Sequence, residues 1–181
     1  MISISIIKEI ILSMFHQLKF KDELIRDADN IVSLYDSYKK DSTPWMETEH
    51  YNTGWNYVPF KMFDQTIIDC GLDYLKNNCT VITFSMLQPG TQIYPHNGFD
   101  DYSEKIIRYH FCITDTKNSG FVTNNETKLY KKFDGFGFDD VEMHSAYNND
   151  SKERIVLLFD VPKTGSASDI EIPKDLKLIL N

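Results

Sequence analysis

Lys105–Ile113 reads KIIRYHFCI. Ile107, Tyr109, Phe111 and Ile113 recur every second residue, and Arg108 and His110 fall between them. A period of two places alternate side chains on opposite faces of a β-strand, so one face is apolar and the other carries an Arg and a His. Cys79–Leu87, CTVITFSML, alternates in the same way, with Ile82, Phe84 and Met86 against Val81, Thr83 and Ser85. The turn sequence QPGTQ follows it. Shorter strand-like pieces lie near Gly120–Thr123 and Lys128–Tyr130, and Phe136 and Phe138 stand at strand spacing. The run ERIVLLFDVP, ended by Pro162, closes the set. Many short strands separated by Gly, Pro, Asn and Asp turns predict a β-sandwich or jelly roll.

Upstream the period changes. Ile7, Ile10, Ile11, Met14 and Leu18 fall at helical spacing, as do Ile31, Leu34, Tyr35 and Tyr38, with Asp29 or Asn30 as a cap. Residues 41–58 are aromatic and polar without period and read as an ordered loop. A third helix is expected from about Phe60 to Leu75, stopping before Asn77-Asn78. The fold class is therefore mainly β with N-terminal helices, in one domain over 1–181. Residues 1–78 form the helical part and the aromatic loop, 79–162 the β core, and 163–181 a C-terminal tail.

A chain of 181 residues suits one domain with a substantial core. The formal net charge of −8 argues against a nucleic-acid partner, which needs a basic footprint, and against a charge-held membrane surface. The start, MISISIIKEIILSMFHQL, is interrupted by Lys8 and Glu9, and no small-residue cleavage site follows it. It reads as neither signal peptide nor membrane span. Cys70, Cys79 and Cys112 are sparse and lack CxxC spacing, so a reducing cytoplasm is the expected compartment.

The chemistry-bearing residues cluster. His96 stands at a turn in YPHNG, and His144 ends FDDVEMH. Imidazoles at strand ends can share a metal at a barrel mouth. Two are too few for structural zinc but suit a catalytic metal that keeps positions open. Each also reads as a surface-turn or hydrogen-bonded core histidine, the commoner case for a lone His. Arg154 opens the last strand and points either to solvent or to the inner wall, where it needs an anion. Ser85 lies on the less apolar face of its strand and can add a hydroxyl to the same anion. Arg108 and His110 face either a polar barrel interior or solvent, where a cross-strand salt bridge on an exposed sheet would hold Arg108. Asp100, Asp101 and Glu104 either rim a site or are solvated. Trp45, His50 and Trp55 in PWMETEHYNTGW form either a substrate wall or a self-packed loop.

SMLQPGTQIYPHNG, RYHFCI, GFGFDDVEMHSAYN and RIVLLFDVP, in this order and spacing, resemble the aspartyl/asparaginyl β-hydroxylase family from about Phe84 to Pro162, with a weaker echo in TGW upstream. The resemblance implies a double-stranded β-helix (jelly roll, cupin-like) and a dioxygenase using Fe(II) and 2-oxoglutarate. It implies molecular oxygen and an amino-acid or peptide substrate as partners. It makes His96 and His144 the metal ligands and catalytic centre. Arg154 becomes the partner of the distal carboxylate of 2-oxoglutarate, with Ser85 assisting and His110 as a second contact. Arg108 becomes a carboxylate anchor for either cosubstrate or substrate. Where most relatives of this chemistry place a third, carboxylate ligand, this chain has Gly98, as does the family it resembles. Water or Asp100 can fill that position. Chloride there would make a radical halogenase, and loss of turnover would leave a carboxylate-binding barrel module.

Overall fold

The structure, a computed structural model, describes residues 13–124 and 126–173. Its strands are β1 Phe15–Gln17, β2 Thr43–Pro44, β3 Trp55–Met62, β4 Gln65–Thr66, β5 Val81–Leu87, β6 Gln92–His96, β7 Ile106–Cys112, β8 Ser119–Thr123, β9 Glu126–Leu129, β10 Gly135–Asp139, β11 His144–Asn148 and β12 Arg154–Pro162. The helices are α1 Lys21–Arg26, α2 Ala28–Tyr38, α3 Asp73–Asn78 and α4 Asp100–Ser103.

The larger sheet runs β1-β10-β7-β12-β5-β3-β2, with β4 beside β3, and the smaller runs β6-β11-β8-β9. The paired strands are antiparallel. The two sheets make the jelly-roll architecture expected of the β part.

Strand parity divides the interior in two. Ile82, Phe84 and Met86 of β5, Tyr109 and Phe111 of β7, and Ile155, Leu157 and Phe159 of β12 pack with Leu24, Ile31 and Tyr35 of the helices. The opposite parity, Val81 and Leu87, Ile106 and Cys112, Val156 and Leu158, packs with Phe121, Phe136, Phe138 and Ala146. The central strands are thus covered on both faces, which explains why β12 is apolar almost throughout. The second parity also carries Ser85, Arg108, His110, Arg154 and Asp160, so the sheet delivers its polar groups to one inner face.

Several local expectations give way. The helix expected over Phe60–Leu75 is strand β3, the short β4 and a loop, with only the six-residue α3 beyond them. Burial in β3 falls on Trp55, Val58 and Phe60, with a register shift between Pro59 and Lys61. Such a break in period two mimics a helical repeat. The β core therefore takes in strands well before residue 79. Helix α2 starts at Ala28, so Asp29 sits in its first turn, and Asp27 holds the N-cap position without a side-chain bond. Of the first expected helix, Met14 and Leu18 flank strand β1, and Ile7, Ile10 and Ile11 lie outside the described residues. Cys70, Cys79 and Cys112 are buried thiols. Among the described residues, no helix is long and apolar enough to cross a membrane.

Candidate active site

Strands β6 and β11 pair so that His96 lies opposite His144. Their ring centroids are 4.4 Å apart at 60°. Each ring is oriented by its own backbone: His96 Nδ1 meets Tyr94 O at 2.7 Å, and His144 Nδ1 meets Glu142 O at 2.7 Å. A carbonyl only accepts, so each Nδ1 carries the proton and each Nε2 keeps its lone pair. Burial pushes the His144 pKa down to about 4 against the opposing pull of Asp140, and burial also lowers His96. Both rings are therefore neutral, the form that binds a metal. His50 stacks on His96 at 4.8 Å and 16°.

Arg154, 1 % exposed, opens β12 on the inner face. Its guanidinium lies 4.7 Å over the Tyr130 ring. Its Nε and one terminal nitrogen are buried without a hydrogen-bond partner among the described residues. A buried guanidinium left in this state is costly, so the position suits an incoming anion. Ser85 is buried nearby and accepts from Trp55 Nε1 at 3.0 Å, which leaves its own proton to donate. His110 Nδ1 bonds the Tyr130 hydroxyl at 2.8 Å, and burial first, then Arg154, hold His110 well below the ordinary imidazole pKa. Ser85, His96, Arg108, His110, His144 and Arg154 line one cavity. Two neutral imidazoles with free Nε2 atoms could hold a metal, and the unpaired cation beside them could take the far carboxylate of a chelating keto acid.

Arg108 also reaches this cavity, but its charge is already met. Its Nε and one terminal nitrogen donate to Asp160 Oδ1 and Oδ2 at 2.8 Å each, and the other donates to Asp140 Oδ1 at 3.0 Å. Asp160 stands opposite Arg108 in the β12–β7 register. Two carboxylates of the chain itself thus meet this guanidinium. Burial alone would raise the Asp140 carboxyl, but Arg108, His144 and Ser103 turn the shift to below the usual range. Asp140 Oδ1 lies 3.8 Å from His144 Nε2, and its Oδ2 accepts from Ser103 at 2.7 Å. A Cβ built on Gly98 would fall into this carboxylate. Among the described residues, no three His, Cys, Asp or Glu side chains form a metal-binding group. The site is a two-imidazole centre with Asp140 one step behind it.

Asp101 and Glu104 are exposed at an open depression beside Asn97 and Gly98. The side chain of Asp100 lies outside the described part of the structure. Trp45 and Trp55 stack at 4.3 Å and 3°, and both line the cavity and the adjoining groove. Trp55 is buried and serves Ser85, and His50 backs His96 rather than lining the groove. Sequence reading missed Asp140, Asp160 and Tyr130. A signal existed for Asp160: it shares parity with Arg154 inside an otherwise apolar strand, where a carboxylate must find a partner.

The chain has the fold of a Burkholderia pseudomallei oxidoreductase of the 2OG-Fe(II) oxygenase family (TM-score 0.57, 8% identity, 81% of this chain and 82% of that one). It has a similar likeness to a Pseudomonas putida prolyl-4-hydroxylase (TM-score 0.55, 11% identity, 80% and 100%). A third is the viral collagen prolyl hydroxylase of Paramecium Bursaria Chlorella virus-1, solved with 2OG (TM-score 0.52, 12% identity, 76% and 91%). At such identities these are likenesses of fold. No curated protein matches the chain in sequence. The model of one family, described as Aspartyl/Asparaginyl beta-hydroxylase, matches residues 23–164, a span that takes in both histidines, Arg154 and the strands that aim them. By that match the chain belongs to the aspartyl/asparaginyl β-hydroxylase family.

Proposed function

We propose that this chain is an iron(II)- and 2-oxoglutarate-dependent oxygenase that hydroxylates a carbon of an amino-acid or peptide substrate. The observation that carries the reading is Arg154, a buried cation with two unpartnered nitrogens in the same cavity as two neutral, pre-oriented imidazoles. The overall reaction takes a substrate C–H, O2 and 2-oxoglutarate to C–OH, succinate and CO2. Bound iron(II) supplies the activation of oxygen, a chemistry that no side chain provides.

The chain's residues bind and orient. His96 and His144 present Nε2 to the metal, their Nδ1–H groups held by Tyr94 and Glu142 carbonyls. Arg154 and the Ser85 hydroxyl take the distal carboxylate of 2-oxoglutarate, with Tyr130 beneath the guanidinium and Trp55 fixing the serine. His110, tied to Tyr130, contacts the same ligand. Asp140, whose Oδ1 stands 3.8 Å from His144 Nε2, would accept from a water carried by a metal held there. Arg108 holds Asp140 ionised and in place, a positioning role.

Asp140 also weighs against the halogenase reading. The space beside Gly98 is held by an ionised carboxylate, which repels chloride. The intact pair of imidazoles and Arg154 weigh against a binding module that has lost turnover.

Anaerobic addition of iron(II) and 2-oxoglutarate to the folded protein is expected to give a visible charge-transfer band. The band is expected to vanish in His96→Ala, and succinate to appear when oxygen is admitted. A folded protein that gives no band, or a band unchanged in His96→Ala, refutes the reading.

A further inference from the structure

Beyond the histidine pair the cavity adjoins a narrow groove with about 80 Å³ of free volume. Trp45, Met46, Met62, Phe63, Phe99 and Leu158 make it largely apolar. The charged side chains that reach it are Arg108 and Glu47. Arg108 arrives already bonded to Asp140 and Asp160, so that cluster carries one negative charge in excess. Tyr102, also on the wall, donates its hydroxyl to Asp160. Glu47 Oε2 accepts from Trp45 Nε1 at 3.1 Å, and its Oε1 stands 3.6 Å from His50 Nε2. No other Lys or Arg lines the groove among the described residues.

A carboxylate entering this groove loses hydration, finds no unpaired cation and meets Glu47 and the Asp140–Asp160 excess. Loading the inner cavity adds no net charge, because iron(II) and the 2-oxoglutarate dianion cancel, and it occupies Arg154, the unpaired cation of that cavity. An aliphatic side chain meets no such opposition and gains from burial against Met, Phe, Trp and Leu.

We infer that the substrate group seated in this groove is an uncharged aliphatic side chain, not the carboxylate of an aspartyl residue, and that Glu47 is a specificity-determining residue that rejects acidic substrates. This rests on the oxygenase reading and names its substrate class. It sets the chain apart from the acidic substrate in its family's description.

Trp45 and Trp55 line the groove, so their fluorescence reports occupancy. The full chain is titrated near neutral pH with the α-amides of N-acetyl-leucine and of N-acetyl-aspartate, under nitrogen, with and without iron(II) and 2-oxoglutarate. The leucyl probe is expected to bind at least about ten-fold more tightly in the loaded state, where 2-oxoglutarate occupies Arg154. Glu47→Gln is expected to raise affinity for the aspartyl probe several-fold, and Glu47→Lys more. Glu47 sits half-exposed in a loop, so neither change threatens the fold. In the loaded protein, aspartyl binding as tight as leucyl binding, or no response to the leucyl probe at millimolar concentration, overturns the inference. So does an aspartyl affinity unmoved by both Glu47 variants. A protein that takes up neither iron nor 2-oxoglutarate yet keeps the preference ends the oxygenase reading and leaves this selectivity standing.

Discussion

Gly98 and Asp140 share one space: the carboxylate of Asp140 occupies the volume into which any side chain at 98 would project, and Gly98 N donates to Asp140 O at 2.7 Å. Gly98→Asp therefore forces two carboxylates together, and urea melts are expected to show a loss of about 1–3 kcal/mol, the usual scale of overpacking. Adding Asp140→Gly is expected to restore part of that loss, because the new carboxylate then has the old one's room. A double variant no better than Gly98→Asp alone would refute the shared-space account.

Arg108→Ala leaves Asp140 and Asp160 buried without their cation. A loss of about 3–5 kcal/mol is expected, as for other buried pairs broken on one side. Chemical denaturation would check it. A variant of full stability that lost only substrate turnover would instead return Arg108 to the role of substrate anchor.

Arg154→Met should behave in the opposite sense. Without ligand the buried cation has unpaired nitrogens, so its removal is expected to be neutral or stabilising. Wild type is expected to gain about 2.7 kcal/mol at a 2-oxoglutarate concentration of 100 Kd, and the variant to gain nothing. Thermal melts with and without 2-oxoglutarate give both results.

The His144 pKa, pushed down to about 4 in the fold, sets a pH dependence for the metal-free protein. An unfolded histidine titrates near 6.5. Between these values the unfolded chain binds the extra proton, so stability is full above about pH 6.5 and falls as pH drops toward 4. The whole effect is on the order of 3 kcal/mol for this side chain. Asp140 works in the same direction at lower pH, its stabilising ionisation being lost as pH falls through its lowered pKa. His144→Gln is expected to flatten the upper part of the curve, and melts across pH 4–7 would check it.

Sequence carried the period-two strands well, because β5, β7 and β12 are flanked by two cores and their alternation is unbroken. It carried His96, His144 and Arg154 into one cavity for the same reason, since parity decides where a strand aims a side chain. It failed at β3, where the shifted register scrambles the period, and at Arg108 it could not name the partners, which lie 52 and 32 residues away in the chain. Asp140 was invisible as a site residue because nothing in FDDVEMH says which of two adjacent aspartates turns inward. Tyr130 was read only as part of a strand, since its service to both Arg154 and His110 depends on three segments meeting.

The loop from Trp45 to His50 ties two tasks into one short stretch of backbone. Its tryptophan walls the groove, its glutamate contributes charge there, and its histidine lies flat against the ring of His96. A drift in this loop that retuned what the groove admits would also shift the plate on which the His96 ring rests. New selectivity in this scaffold is therefore expected to come with a changed setting of His96, unless the change is confined to the far wall formed by Met62, Phe63 and Phe99.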